Sequence, residues 1–438
     1  RAFVLDLAGR SAFAAAQPET AVRLLGEAIA VYEAEGDPHA AARLASRLAQ
    51  IEGDLGRVDE ATARMERALD VIQDDEPDED LALLLARLAV VYHFTGRQEQ
   101  ALEKAERALD VAESLGAPEP LARALGVKAH ILGTIGHPTE GAALRRQALA
   151  VALEHGLLDL ASVQYSNLSD DAFRRDRYAD AISYLEQALE LTRRLGHRPG
   201  EWSILSELTY PLYMTGRWDE ALAALPELTE EQLGSGALLL SLLTSVLEIH
   251  IRRGDLDGAR RFHSLFDALA ASADFQARAV HAGGTAALRH AEGRLHEALD
   301  SGAAALRFGE ATAFDHQAVK QGLVEAVEAA LALGEVGRAE ELLSLVDGVP
   351  RGLRSPYVDA QVRRFRARIS EDEGGLRGAA SSFRELGVPF WLAVTLLELA
   401  ELTGDSAQRD EARGIFEQLG ATPWLARAGG ARQAEPVG

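Results

Sequence analysis

An all-α solenoid of about eleven helical hairpins is the fold this chain predicts, and three observations predict it. Ala, Leu, Glu and Arg crowd a 438-residue sequence whose aromatic share is only 6 %, a composition suited to helices rather than to a sandwich or barrel. The length is roughly three times that of a typical domain, which argues against one compact core. A turn motif also recurs with a period of 40 residues, and that period decides the architecture.

The register opens at Gln17 to Ala21. The same turn returns at Gly56 to Ala61, Gly96 to Ala101 and Gly216 to Ala221, with Asp for Gly at Asp176 to Ala181 and a degenerate copy at Gly136 to Gly141. A second ladder runs in phase through Ala28, Ala68, Ala108, Ala148 and Ala188, again 40 apart. Each unit reads helix, tight turn, helix. In the third, Leu81, Leu84, Leu85, Leu88, Val91 and Tyr92 mark the apolar face of a first helix that Gly96 ends. The second helix, Gln98 to Ser114, offers Leu102, Ala105, Ala108 and Leu109. Pro38, Pro77, Pro118 and Pro199 fall near the starts of first helices, where a missing N–H costs nothing. Neither helix buries its apolar face alone, so neighbouring units must stack.

Downstream the turn slips slightly, appearing at Gly254 to Ala259, Gly293 to Ala298, Gly334 to Ala339 and Gly374 to Ala379. A last hairpin, Phe390 to Leu419, carries an insertion around Thr403 to Ser406. The regularity breaks at Pro226, inside the expected second helix of the sixth unit, and at Gly234-Ser235-Gly236. Interior proline costs about 3 kcal/mol, so the sequence divides into strictly phased repeats over 1–233 and looser ones over 234–426. Residues 427–438 read as a polar, disordered tail.

Charge and composition narrow the function. The formal net charge is −23, carried unevenly: residues 1–120 hold 12 basic and 24 acidic side chains, residues 351–438 hold 12 of each. An acidic surface is a poor match for phosphate backbones, so no direct nucleic-acid partner is expected. With no cysteine there is no disulfide, thiolate metal site or cysteine nucleophile, which fits a reducing cytoplasm. The longest uncharged stretch, Gln232 to Leu247, is too short and polar to span a bilayer, and no membrane association is expected. Arg1 opens the chain without a signal sequence, as a piece of a longer polypeptide would.

Few motifs carry chemistry. None of the three lysines (Lys104, Lys128, Lys320) follows a glycine in a phosphate-binding loop, and no G-x-G-x-x-G follows a strand. His296-Glu297 begins like a zincin motif, but Asp300 stands where the second His belongs. His281, His290 and His296 share one hairpin and read as solvated or capping residues, so no metal site and no cofactor are expected. The acidic run Asp74 to Asp80 lacks the spacing of a calcium loop, and reads as a solvated loop in which Asp78 or Asp80 favours a helix N-terminus. Arg363, Arg364, Arg366 and Arg368 form a basic run in an acidic protein. It reads either as a solvated helix face partly neutralised by Glu371 to Glu373 or as a docking face for another domain or an anion.

The period alone allows HEAT or armadillo units of about 40–47 residues. The residues favour another family. Leu88-Ala89 and Tyr92 before Ala101, with Ala108 after it, resemble the tetratricopeptide repeat in a long-helix form, although that family's first-helix Trp is absent. The resemblance implies a right-handed α-α superhelix with first helices lining a concave groove. Carried onto this chain, the third to fifth units place Leu83, Ala86, Val90 and His93, then Arg123, Gly126 and His130, then Val163, Ser166, Asp170 and Phe173 in that groove. The sixth and seventh add Ser206, Tyr210 and Tyr213, then Thr244 and Glu248. Such a groove suits a protein, a peptide or a small polar effector. The family's carboxylate clamp for chaperone tails is missing. Catalysis through Asp170, His130 or Glu248 is a remote alternative, because no nucleophile–base spacing is visible.

Phe383 to Ala393 and Ala412 to Leu425 are more distinctive. They resemble the end of the helical region in actinobacterial multidomain signalling proteins, either class III adenylate/guanylate cyclases fused to a STAND-type ATPase or large ATP-binding LuxR-type regulators. The first implies a non-catalytic scaffold and sensor arm that regulates attached ATPase or cyclase domains within the same polypeptide. The second implies an inducer-sensing arm.

Overall fold

Among the described residues, the turns of the repeat are built on a backbone conformation that glycine tolerates and other residues resist. Gly96 sits at φ 80°, where its N–H donates to the His93 carbonyl (3.1 Å) and Arg97 N–H to that of Tyr92 (2.8 Å). Two carbonyls that the helix leaves unpaired are thereby satisfied, and the chain reverses in two residues. The computed structural model describes residues 1–14, 17–55, 57–196, 198–225, 237–272, 275–309 and 314–430. All regular elements among these residues are helical, and they pair into eleven hairpins followed by one short last helix. No described helix is long and apolar enough to cross a membrane.

The first six hairpins join α1 (Ala2–Ala14) to α2 (Pro18–Glu35), α3 (Pro38–Asp54) to α4 (Val58–Ile72), α5 (Glu79–Phe94) to α6 (Gln98–Leu115), α7 (Pro118–Thr134) to α8 (Pro138–Glu154), α9 (Leu158–Arg174) to α10 (Tyr178–Leu195), and α11 (Arg198–Met214) to α12 (Trp218–Ala224). Asp78 caps α5 by accepting the Leu81 N–H at 2.9 Å, as the acidic run led us to expect. α11 runs on through Pro211. The Pro226 and Gly234-Ser235-Gly236 break, the Gly56 turn and residues 431–438 lie outside the described residues.

Four details depart from the sequence reading. The apolar run after residue 236 is not an α-helix but a 3-10 helix, Ala237–Thr244, that hands over to the α-helix Val246–Arg253. Three hydroxyls explain it: Thr244 and Ser245 both bond the Ser241 carbonyl (3.0 and 2.7 Å), and Ser245 also meets Thr209 (2.7 Å). Such side-chain bonds compete with the α-helical ladder. The turn expected at Gly374 is made three residues earlier by Glu371 (φ 53°), with Asp372 capping the next helix. Thr403 to Ser406 is no insertion, because Gly404 and Asp405 alone join helix Pro389–Thr403 to helix Ser406–Leu419. Arg427, expected at the start of the tail, lies in helix Thr422–Ala428, and its guanidinium pairs with Glu401 (2.7 Å).

The chain divides into two compact units, 1–168 and 169–438. In the first, Leu25, Leu44 and Leu48 centre one apolar cluster, and Met65, Leu81, Leu84, Leu85 and Leu88 centre another. Ala101, Ala105 and Ala108 are fully buried in the second cluster, so the small side chains of the ladder are what bring paired helices together. Each buried Leu contributes about 1.5–3 kcal/mol.

In the second unit the late hairpins fold onto the middle ones. The turn glycine Gly216 (φ 77°) shows why: a Cβ there would lie 2.6 Å from Pro389 and 3.0 Å from Leu419. Trp218, fully enclosed, meets Tyr213 on one side and Phe390 on the other, with ring centroids 6.0 and 5.8 Å away. Aromatic faces of this size are costly to leave wet, and the C-terminal hairpins cover them.

Candidate functional site

In the first unit, α3, α5, α7 and α9 present their inner faces to one groove of about 620 Å³. All four are first helices. Leu83, Ala86 and Val90 of α5 and Val163 of α9 supply apolar surface, and Arg43, Arg47, Arg87 and Arg123 supply cations. The charges are largely balanced. Arg43 bonds Asp80 (2.9 Å), Arg47 bonds Asp6 (3.0 Å), and Arg123 bonds Glu119 (3.0 Å) with Asp159 at 3.6 Å. Burial pushes the Asp80 carboxyl above its ordinary range, Arg43 offsetting part of the rise.

Polar groups converge on the groove. His93 and His130 meet edge to face, 4.8 Å between centroids. Gln98 fixes the His93 ring, its Oε1 lying 2.8 Å from Nδ1. Gln164 is nearly enclosed at 3 % exposure, and its Oε1 makes no hydrogen bond. Gly126 gives Gln164 its room, since a Cβ at 126 would lie 2.7 Å from the Gln164 amide nitrogen. A buried acceptor without a donor costs free energy, and a ligand N–H or O–H entering the groove would relieve it. Of the residues named from the sequence, His93, Arg123 and His130 stand in this wall; Ser166 is half-buried on α9, outside it. Gln164 escaped the sequence reading because groove positions were counted from the repeat anchor alone.

Among the described residues of the second unit, Tyr210, Tyr213, Thr244 and Glu248 line no opening of that size. Tyr210 (4 % exposed), Tyr213 (6 %), Thr244 (2 %) and Glu248 (3 %) surround a cavity of only about 20 Å³, room for one water. Lys320, Gln321, Tyr357 and Trp391 from later hairpins close it. The expectation of an open, Tyr-lined groove here is therefore corrected. Phe173 is buried with its ring 5.8 Å from that of Tyr210, and Ser206 is buried with an unbonded hydroxyl. Asp170 holds Arg174 (2.8 Å), which also reaches Asp315 (3.2 Å). Glu248 accepts from Gln321 (2.8 Å) and pairs with Arg252 (3.0 Å), whose other side bonds Glu325 (2.6 Å). Burial lifts Glu248 despite Arg252, whereas at Glu325 the Arg252 and His290 contacts outweigh burial and lower it.

The basic run also departs from expectation. Arg364 is fully buried, paired with Glu328 and Glu398 and stacked over Trp391 at 5.1 Å, so it offers nothing to dock on. Arg368 joins the same carboxylates and Arg366 pairs with Asp347 (2.7 Å). Arg363 is exposed. The neutralising acids are therefore distant in sequence rather than Glu371 to Glu373.

One buried group was legible only as an oddity. Asp176 takes the left-handed backbone of a turn glycine (φ 59°). Its carboxylate accepts from Lys320 Nζ (2.6 Å), the Tyr178 hydroxyl (2.8 Å), Ser355 Oγ (2.7 Å) and the Tyr357 N–H (2.7 Å).

Fold and groove define a helical-hairpin repeat protein whose first helices form a ligand-sized polar surface. Comparison gives the repeat its name: the tetratricopeptide repeat model matches residues 40–114 and 159–230. No curated protein matches the chain. Among solved structures, a Rap protein complexed with Competence and Sporulation Factor is 15 % identical, with 74 % of this chain and 81 % of that one covered and a TM-score of 0.45. BtubC from P. vanneervenii is 22 % identical over 50 % of this chain and 87 % of its own, TM-score 0.38. A STAND ATPase with a tetratricopeptide repeat sensor from Pyrococcus horikoshii is 17 % identical, covering 73 % of this chain and 44 % of that one, TM-score 0.37.

Proposed function

We propose that the chain is a non-catalytic scaffold and sensor module that takes a peptide segment or small polar effector in the groove of its first unit. The observation that carries this reading is the groove itself. Its volume of about 620 Å³ falls within the range typical of ligand sites, roughly 300–1,000 Å³. It combines an apolar floor with His93, His130 and the unsatisfied Gln164 acceptor. Paired guanidinium and carboxylate groups on the rim select a polar, hydrogen-bonding ligand over a purely apolar one. On this reading the module works in the cytoplasm and regulates an attached ATPase or cyclase domain, a role suggested by the Phe383 to Leu425 signature. Within the first unit the repeats contact mainly their neighbours, so a ligand with unequal affinity for two curvatures would shift that unit between them.

Selection from a random-peptide library, followed by fluorescence anisotropy on the best binder, tests the site. Val163→Trp fills the groove from an exposed position (52 % exposed), and His130→Ala removes a wall. Both should weaken binding roughly tenfold or more while leaving thermal stability near that of the parent. Unchanged affinity in both variants would sink the proposal.

A further inference from the structure

Outside the groove, two histidines and an aspartate converge where helix Leu256–Ser264, the 3-10 helix Asp267–Ala271 and helix Phe275–Ala291 meet. His263, Asp267 and His281 each bring a donor atom to within 4.8 Å of the others. His263 Nδ1 lies 3.7 Å from Asp267 Oδ1, and His281 Nε2 lies 4.0 Å from the same oxygen. The two rings lie 4.9 Å apart between centroids, their planes tilted by 52°.

Packing alone leaves a feature unexplained. His281 Nε2 is buried and makes no hydrogen bond, although a neutral imidazole with an enclosed nitrogen normally finds a partner. The other ring is held in the orientation that frees the right atom. His263 Nε2 is 3.0 Å from Thr285 Oγ1; with the N–H placed there, the Nδ1 lone pair points toward Asp267. This is the outer hydrogen bond that metal-ligating histidines usually carry. We infer that His263, Asp267 and His281 form a binding site for a divalent transition metal of the Zn²⁺ class, with solvent in the fourth position.

The chemistry supports that assignment at each donor. Two imidazoles and one carboxylate suit Zn²⁺, Co²⁺ or Ni²⁺, whereas Ca²⁺ and Mg²⁺ require oxygen cages. Ligands at about 2.0–2.1 Å from a tetrahedral ion stand roughly 3.3 Å apart, so the donors need to close by about an ångström. Asp267, whose side chain is 71 % exposed, can close its own gaps of 3.7 and 4.0 Å, and the two rings must close the wider separation between them. A bound ion would tie the end of one hairpin to the first helix of the next.

Isothermal titration of the chelator-stripped full chain with Zn²⁺ alone, near neutral pH, tests the inference. About one ion should bind per chain at this site. Asp267→Asn, a surface change, should weaken binding roughly tenfold or more, and His281→Ala should abolish it. Co²⁺ in place of Zn²⁺ should give the visible absorption bands of a four-coordinate nitrogen–oxygen site, absent in His281→Ala. His296→Ala, at an exposed position, and His39→Ala, which removes the ring paired with Asp75 and Asp78, should leave this ion in place. Circular dichroism checks that each variant is folded; if His281→Ala is not, Asp267→Asn decides. Equal stoichiometry and affinity in Asp267→Asn and the parent, or no binding up to about 1 mM Zn²⁺, overturns the assignment.

Discussion

Asp176 shows how much one side chain decides. A non-glycine residue at positive φ costs on the order of 1–3 kcal/mol, and Asp176 is held there because its carboxylate meets the Lys320 ammonium, two hydroxyls and a backbone N–H. Asp176→Ala leaves Lys320 buried without its counter-charge and should cost about 3–5 kcal/mol in urea unfolding. Asp176→Gly relieves the backbone but not the charge, so it too should destabilise. If either matches the parent, the carboxylate is not what pins the late hairpins. Glu207 supplies a pH-dependent counterpart. Burial, reinforced by the charge of Asp170, raises its carboxyl from 4.5 to about 8. Between those values the native state binds more protons than the unfolded one, so stability falls as pH rises through that window. Glu207→Gln should therefore melt at a higher temperature than the parent near pH 8 and at the same temperature below about pH 4.5. A constant difference across that range would contradict the assignment.

At the scale of elements, much of the fold was legible because its determinants are local. A glycine at positive φ, a small residue five positions on and an alanine seven beyond that are contained within one hairpin, so their 40-residue phasing announced the repeats. The same phasing placed His93, Arg123 and His130 on the inner faces of α5 and α7. It failed where distant pairings win. Lys320 and Ser355 reach Asp176 across 144 and 179 residues, and no local period encodes such contacts. Two signals were available in the sequence: Asp in the glycine place of a turn, and Lys320 as the sole lysine beyond Lys128. Arg364 was misread for a related reason, since its partners Glu328 and Glu398 lie 36 and 34 residues away. For the interruption at Pro226 to Gly236 we propose a joint between strictly phased and looser repeats. Limited proteolysis should cut there before it cuts inside α3 to α10; equal protection would remove the joint.

Over the whole molecule, one repeat grammar serves two ends. The first unit leaves the inner faces of its first helices open, with an unsatisfied acceptor among them. The second covers the same faces with its own later hairpins, and the buried ion pairs of Arg252 and Arg364 are part of that cover. That contrast is the central claim, and the absence of cysteine from the chain makes it directly measurable. Single cysteines at Val163 and His130, in the groove of the first unit, and at Thr244 and Tyr213, around the small cavity of the second, can each be titrated with a thiol reagent under native conditions. The account predicts rapid labelling at 163 and 130. At 244 and 213 it predicts labelling slower by roughly a hundredfold or more, governed by opening of the second unit. Comparable rates at all four positions in folded protein would contradict it.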